Sequence, residues 1–198
     1  MRLSNFEVTI PQGDEQTSGH VGMKHNSKYS IRMHNGLNRR CDALVTVDGK
    51  EIGMWRVDPF GTINIDRPAD DTGCLTFYRA GSKKGKKAGL ANVDSNDMGV
   101  ISVEFRPEKS RPKRILHSQG MNIARGQVAG DFTPTSDCCQ LMSAGGTGLS
   151  GRSNQEFYEV PNVKYNQSDV VTINLRLVEG NDSPRELMSQ SNSVPRPV

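Results

Sequence analysis

The sequence has no apolar run that approaches the roughly 20 residues needed to cross a bilayer. Its first residues, MRLSN, lack the apolar core of a signal peptide, which predicts that the chain is made in the cytoplasm. The four cysteines, Cys41, Cys74, Cys138 and Cys139, show no metal-ligand spacing, and adjacent cysteines rarely bond each other. The sequence therefore predicts no membrane span and reduced thiols without a disulfide.

Aromatic residues are scarce, at 6% of the chain, and no segment longer than about ten residues repeats apolar side chains with helical spacing. Only 34% of the 198 residues are hydrophobic, whereas the chain has 20 glycines and 10 prolines. This composition is typical of a loop-rich β protein, and the length suits one domain with extensions. The formal net charge of +3 is a mild excess, so we expect no nucleic-acid partner from it.

Catalytic and cofactor-binding motifs are also missing. Residues 146–153 nearly match the phosphate-binding pattern G-x-x-x-x-G-K-[ST], but Arg152 replaces the essential lysine, so we interpret them as a glycine-rich connection. Residues 71–73 copy the aspartic protease tripeptide without its apolar flanks, which indicates a plain turn. The spacing of three histidines suits no zinc site: His20, His25 and His34. We therefore expect a non-enzymatic protein without a metal or cofactor.

The most strongly patterned stretch is residues 41–79, which predicts an antiparallel meander. Its first two strands flank Asp48 and Gly49, a dipeptide that tolerates the positive φ angles of a tight hairpin turn. Proline and glycine at residues 58–61 end the second strand, and period-two alternation of apolar side chains then resumes. The predicted strands are residues 43–47, 51–57, 62–66 and 75–79.

Two motifs in this stretch resemble a known domain. They read V-x-V-D-G-K-x-I-G-x-W-R-V at residues 45–57 and T-I-x-I-D-R-P-x-x-D-T-G-x-L-T-F-Y-R-x-G-S at residues 62–82. The resemblance is to an uncharacterised all-β family of predicted proteins from large DNA viruses, phages and some microbial genomes. It covers residues 29–107 and resumes over residues 145–185. It implies a β-sandwich and a viral setting, and it carries over no catalytic residue.

The rest of the chain supplies further strands and three extensions. Period-two patterns predict strands at residues 6–10, 29–33, 100–106, 155–160 and 170–178. We expect residues 1–20 to form an N-terminal arm outside the core, residues 108–144 to be an insertion, and residues 181–198 to be an extended tail. The predicted fold is a single antiparallel β-sandwich, jelly-roll-like, over residues 21–180.

Candidate contact residues lie in charged and proline-bearing segments. The densest charge block, residues 80–89, is either a solvated loop or a grip on phosphate groups or an acidic protein face. No aromatic side chains interleave with its lysines as base-stacking platforms would. The insertion is basic, and the tail has prolines suited to an extended segment lying in a groove. The candidates are Lys83, Lys84, Lys86, Lys87, Arg111, Lys113, Arg114, Pro184, Pro195 and Pro197.

Two functions fit these features. The first is a structural component of a virus particle, a minor capsid or cement protein that is made in the host cytoplasm and bridges shell subunits in the virion. Its partners would be capsid or other virion proteins, including further copies of itself. The alternative is a ligand-binding sandwich module for carbohydrate or an anionic polymer, using Trp55, Tyr78 and the lysines near Lys86. Against that alternative, aromatic rings within strands are more often core residues.

Overall fold

The computed structural model describes residues 1–16, 18–90, 96–109 and 144–180, and within them the chain is almost entirely β. The strands are β1 (Arg2–Leu3), β2 (Phe6–Thr9), β3 (Asp14–Glu15), β4 (His20–Met23), β5 (Ser27–Lys28), β6 (Ile31–Asn35), β7 (Cys41–Val47), β8 (Lys50–Val57), β9 (Thr62–Ile65), β10 (Cys74–Arg79), β11 (Val100–Pro107), β12 (Gly145–Ser150) and β13 (Val171–Glu179). One short helix, α1 (Lys83–Lys87), follows β10, and a 3-10 turn (Gln167–Asp169) precedes β13.

The strands form a six-stranded, a four-stranded and a three-stranded sheet, with orders β3-β4-β13-β11-β7-β8, β1-β2-β6-β9 and β12-β10-β5. Among the described strands every pairing is antiparallel except that of β13 with β4. The all-β, antiparallel prediction is therefore confirmed. Eight predicted strands also agree with β2, β6, β7, β8, β9, β10, β11 and β13 to within two residues.

The β7–β8 hairpin forms as predicted, but the meander beyond it does not. Asp48 and Gly49 have φ angles of 50° and 75°, the left-handed conformation that a tight hairpin turn requires. After β8 the chain leaves the sheet, and β9 pairs with β6 instead of β8. β10 then pairs with β12 and β5 in the third sheet. The break at residues 58–61 thus redirects the chain to another sheet, which the alternation of side chains alone does not reveal.

One hydrophobic core is shared by all three sheets. Phe6 of β2 stacks on Phe105 of β11 with ring centroids 4.4 Å apart, which joins the four-stranded sheet to the six-stranded sheet. Phe6, Val8 and Ile10 all belong to this core and are at most 2% exposed. The expectation that residues 1–20 form an arm outside the core is therefore wrong. Strand β2 pairs with β6 over residues 6–9, in the register that turns its alternating apolar side chains towards the core.

The glycine-rich segment expected to be a connection is instead strand β12, paired with β10 along its whole length. Its glycines are required by packing. A Cβ on Gly145 would lie 2.2 Å from the Phe77 ring, and one on Gly148 would lie 2.4 Å from the Ala88 side chain. Small residues therefore let β12 approach its neighbours closely, at the cost of the apolar pattern by which strands are recognised.

The strand predicted at residues 155–160 does not form. This segment runs beside the edge strand β8 and is held by side chains: Phe157 meets Trp55 edge to face at 5.5 Å, and the Arg67 guanidinium lies 4.1 Å from the centre of the Phe157 ring. We call residues 152–166 the edge strap. The edge strap is thus attached to β8, the edge strand of the six-stranded sheet, through side chains.

A buried ion pair fixes the far end of the edge strap. Arg56 of β8 binds Asp42 of β7 through two hydrogen bonds of 2.7 and 2.9 Å, and both side chains are at most 10% exposed. The same guanidinium donates to the Pro161 carbonyl oxygen at 2.8 Å, and the Tyr165 hydroxyl donates to Asp42 at 2.8 Å. The polar groups of the pair are thereby satisfied, as a buried charge pair requires.

The described cysteines, Cys41 and Cys74, are buried and free, and burial raises the pKa of Cys41 to about 12. Cys138 and Cys139 lie outside the described residues, as does nearly all of the predicted insertion and the whole predicted tail. Across the described ranges no helix has the length and apolar character that a membrane crossing requires.

Asp48 links three elements at the β7–β8 turn. Its carboxylate accepts hydrogen bonds from the backbone N–H groups of Gly99 and Thr147, at 2.6 and 2.5 Å. Burial raises the pKa of Asp48 to about 6, against the opposing effect of these two hydrogen bonds, and the nearby Asp97 carboxylate raises it further. The buried charge thus weakens the fold at neutral pH, although its hydrogen bonds hold β11 and β12 to the turn.

We expect Asp48 to make the free energy of unfolding pH-dependent. The folded pKa lies above the ordinary value of about 4, so protonated Asp48 stabilises the folded state. This contribution is complete below about pH 4 and is lost as the pH rises through 6. A shift of this size corresponds to roughly 3 kcal/mol. The free energy of unfolding, measured with denaturant between these pH values, should fall in the wild type. It should depend less on pH in Asp48→Asn, which retains the left-handed turn. The exposed Asp70→Asn variant is the control, and an unchanged slope in Asp48→Asn would contradict the assignment.

Candidate functional site

The lysine block, interpreted from the sequence either as a solvated loop or as a grip on anionic groups, folds as helix α1. This helix presents Lys83, Lys84, Lys86 and Lys87 to solvent. The Ser82 hydroxyl caps the helix by accepting the Gly85 N–H at 3.0 Å. Gly85 is buried against the protein, and a Cβ there would lie 2.9 Å from the Ser82 hydroxyl oxygen and 3.1 Å from the Leu90 side chain. The glycine therefore seats the helix so that all four lysines, which we call the lysine face, point outward.

The lysine face is electrostatically uncompensated. None of its ammonium groups forms an ion pair with another described residue, and the first turn of α1 contains no acidic side chain. Lys84 donates one hydrogen bond, to the Asn26 side-chain oxygen at 3.2 Å. Like charges three and four residues apart destabilise a helix by a few tenths of a kcal/mol per pair. An anion bound at this surface would relieve that repulsion.

A second candidate site is a polar cleft of about 330 Å³ between the start of the three-stranded sheet and the end of β9. We call it the polar cleft. Six polar or charged residues line it together with Tyr29 and Cys74, which are almost fully buried. Burial raises the pKa of the Tyr29 hydroxyl, which therefore stays protonated and forms a hydrogen bond of 2.6 Å with Thr147. The wall residues are Gln12, Lys28, Ser30, Asn64, Asp66 and Gln155.

The two aromatic residues considered as ligand platforms belong to the core. Trp55 is 9% exposed and packs against Phe157, and Tyr78 is 5% exposed and lies beside His25 and Gly148. Neither ring offers a face to a ligand, so the role considered for them is wrong. The interpretation of both as core residues is confirmed.

The remaining candidates lie elsewhere or outside the described residues. Arg111, Lys113, Arg114, Pro184, Pro195 and Pro197 fall in ranges that the structure does not describe, and their contact role stays a prediction. The three histidines lie apart and make separate contacts: His20 with Ser18, His25 with Arg79 and His34 with Thr62. In the described part of the chain no group of three metal-ligating side chains comes together.

Sequence reasoning missed the polar cleft because its lining residues come from five separate segments of the chain. Gln12 and Ser30 precede the hairpin, Asn64 and Asp66 follow it, and Gln155 lies in the edge strap. Each residue is an ordinary polar side chain in its own segment. Asn64 and Asp66 were predicted within the strand of residues 62–66, and that pattern gave no sign of a cleft.

Comparison of the chain with protein-family models, with curated proteins and with solved structures gives no match. Function is therefore inferred from the residues and their geometry.

Proposed function

We propose that this chain is a non-enzymatic structural component of a virus particle, a minor capsid or cement protein that bridges shell subunits. The observation that carries the proposal is the lysine face, a cationic surface whose ammonium groups form no ion pair with a described residue. The proposal includes a jelly-roll-like sandwich in which the four-stranded and six-stranded sheets are the two layers. The stacking of Phe6 on Phe105 supports that arrangement.

The lysine face suits an acidic surface on a neighbouring subunit. Its four charges project from one short helix that is capped by Ser82 and packed through Gly85, so the backbone that carries them is already ordered before binding. Opposite charge on the partner would remove the repulsion among the lysines and would steer the two surfaces together. Charge complementarity of this kind favours one neighbour over other, similar surfaces in the same assembly.

Exposed apolar side chains support an assembly role as well. Tyr158 and Val160 of the edge strap are 82% and 51% exposed, and Phe60 in the loop after β8 is 65% exposed. Aromatic residues are enriched in protein–protein interfaces. These side chains lie in irregular segments whose backbone is tied to the sheets, for example through Arg56 and the Pro161 carbonyl group. They offer contact area beyond the lysine face.

We predict that reversing the charge of the lysine face abolishes incorporation into particles without unfolding the protein. The variant is Lys83→Glu, Lys84→Glu, Lys86→Glu and Lys87→Glu, and its folding should be preserved because all four side chains are exposed. Particles purified from infected cells that express a tagged variant should contain at least about tenfold less of it, the effect of some 1.4 kcal/mol in binding. A control with the same change in net charge replaces exposed residues outside the lysine face and the edge strap by glutamate: Arg2, Lys24, Arg32 and Lys50. Absence of the wild type from particles, or normal incorporation of the lysine-face variant, would refute the proposal.

The same surface favours a second candidate function, the binding of an anionic polymer. We predict that wild-type protein is retained on immobilised heparin at physiological salt, and that replacing the four lysines by glutamine elutes it at lower salt, because each released counterion contributes to affinity. Single-stranded DNA serves as the comparison ligand and should bind more weakly, since no aromatic side chain interleaves with the lysines. If the protein flows through heparin at physiological salt, this candidate is removed while the particle proposal stands.

We also predict that residues 181–198 tether the protein to its neighbours and add nothing to its folding. Truncation after Gly180 retains β13 and the hydrogen bond from the Gly180 N–H to the Met23 carbonyl oxygen, 2.9 Å. The core apolar side chains remain, so thermal unfolding should be nearly unchanged, while incorporation into particles should weaken. Aggregation or unfolding of the truncated protein would show that the tail stabilises its own domain.

A further inference from the structure

The polar cleft has walls that are fixed by their own hydrogen bonds. The Gln12 side chain accepts the Ser30 N–H at 3.0 Å and donates to the Ser30 hydroxyl at 3.1 Å. On the opposite wall the Gln155 side chain accepts the Asp66 N–H at 3.1 Å and donates to the Asn64 carbonyl oxygen at 2.6 Å. These two amides hold the backbone of both walls in place, so the cleft is formed before any ligand arrives.

Three polar groups at the cleft keep unused hydrogen-bonding capacity among the described residues. The Lys28 ammonium has no hydrogen bond or ion pair there, and it lies close to Gly151, where an added Cβ would be 2.9 Å away. Asp66 uses one carboxylate oxygen to accept the Ser153 hydroxyl at 2.8 Å, which leaves its second oxygen available. Asn64 accepts Arg32 at 3.1 Å through its side-chain oxygen, which leaves its NH₂ group available.

The available groups are therefore a cation, a neutral donor and an anionic acceptor. A simple anion would meet the Asp66 charge, and a simple cation would meet the Lys28 charge. Neighbouring hydroxyl groups avoid both conflicts, because each can donate to a carboxylate and accept from an ammonium or amide at the same time. The cleft volume of about 330 Å³ is at the small end of ligand sites, which suits one sugar ring.

We propose that the polar cleft binds one neutral saccharide ring through vicinal hydroxyl groups. The hydroxyls donate to the free oxygen of Asp66 and accept from Lys28 and from the Asn64 amide. The site is separate from the lysine face and uses none of its residues, so this inference and the proposed function can fail independently.

A titration of isotope-labelled full-length protein with glucose, galactose, mannose and N-acetylglucosamine, followed by amide chemical shifts, tests the site. Exposed polar sites of this size bind single sugars weakly, so we expect dissociation constants of about 1 mM or more. The largest shifts should fall on residues 28, 64 and 66. Asp66→Asn keeps an acceptor for Ser153 but loses the free carboxylate oxygen, and we expect it to weaken binding about tenfold.

Further variants separate a lost contact from a lost fold. Asn64→Asp keeps the acceptor for Arg32 and removes the donor, and Lys28→Met removes the ammonium. Each should also weaken binding about tenfold, whereas Lys50→Met, an exposed lysine on β8, should bind as the wild type does. Thermal unfolding of every variant checks that the fold persists.

Three results would overturn the saccharide assignment. The first is that no sugar of the panel shifts the cleft amides. The second is that a sugar shifts them but folded Asp66→Asn and Asn64→Asp proteins bind it with unchanged affinity. The third is that glycine or alanine shifts them and the sugars do not, which would make the cleft a site for a zwitterion held between Lys28 and Asp66.

Discussion

The fold depends on the contact between the four-stranded and the six-stranded sheet, which meet through apolar side chains that neither sheet can bury alone. Phe6 and Phe105 stack at this contact, and each buried side chain of that size contributes roughly 2 kcal/mol. Because Phe6 lies near the start of the chain and Phe105 near its middle, the core closes only when the N-terminal strand pairs with β6. The third sheet adds Leu75 and Phe77 to the same core.

Polar contacts attach distant segments of the chain to the two ends of the β7–β8 hairpin. Burying the Asp42–Arg56 pair costs desolvation energy, yet the pair anchors the edge strap to the β7–β8 hairpin through Pro161 and Tyr165. Asp48 has the corresponding role at the other end of the β7–β8 hairpin, where it holds the backbone of Gly99 and Thr147. In both places a carboxylate satisfies groups that come from distant segments, and at Asp48 burial makes the stability respond to pH.

The two candidate sites have different chemistry because they occupy different positions on this framework. The lysine face projects from a helix that touches the protein through Gly85, so its charges remain fully solvated and suit a broad anionic surface. The polar cleft lies between walls clamped by Gln12 and Gln155, so its groups are few and fixed, which suits a small ligand.

The sequence by itself determined the local elements. Asp48 and Gly49 specify a hairpin because the turn geometry needs residues that tolerate positive φ, and period-two alternation identified strands such as β11 and β13. The lysine face was also recognisable, since four lysines in five residues stay exposed in any fold. Only the tertiary structure decided which strands pair, that residues 6–10 are buried, that the glycines of β12 form a strand, and that Asn64, Asp66 and Gln155 meet at one cleft. Those outcomes depend on contacts between residues far apart in the chain, and a period-two pattern specifies which face of a strand is buried but not which partner covers it.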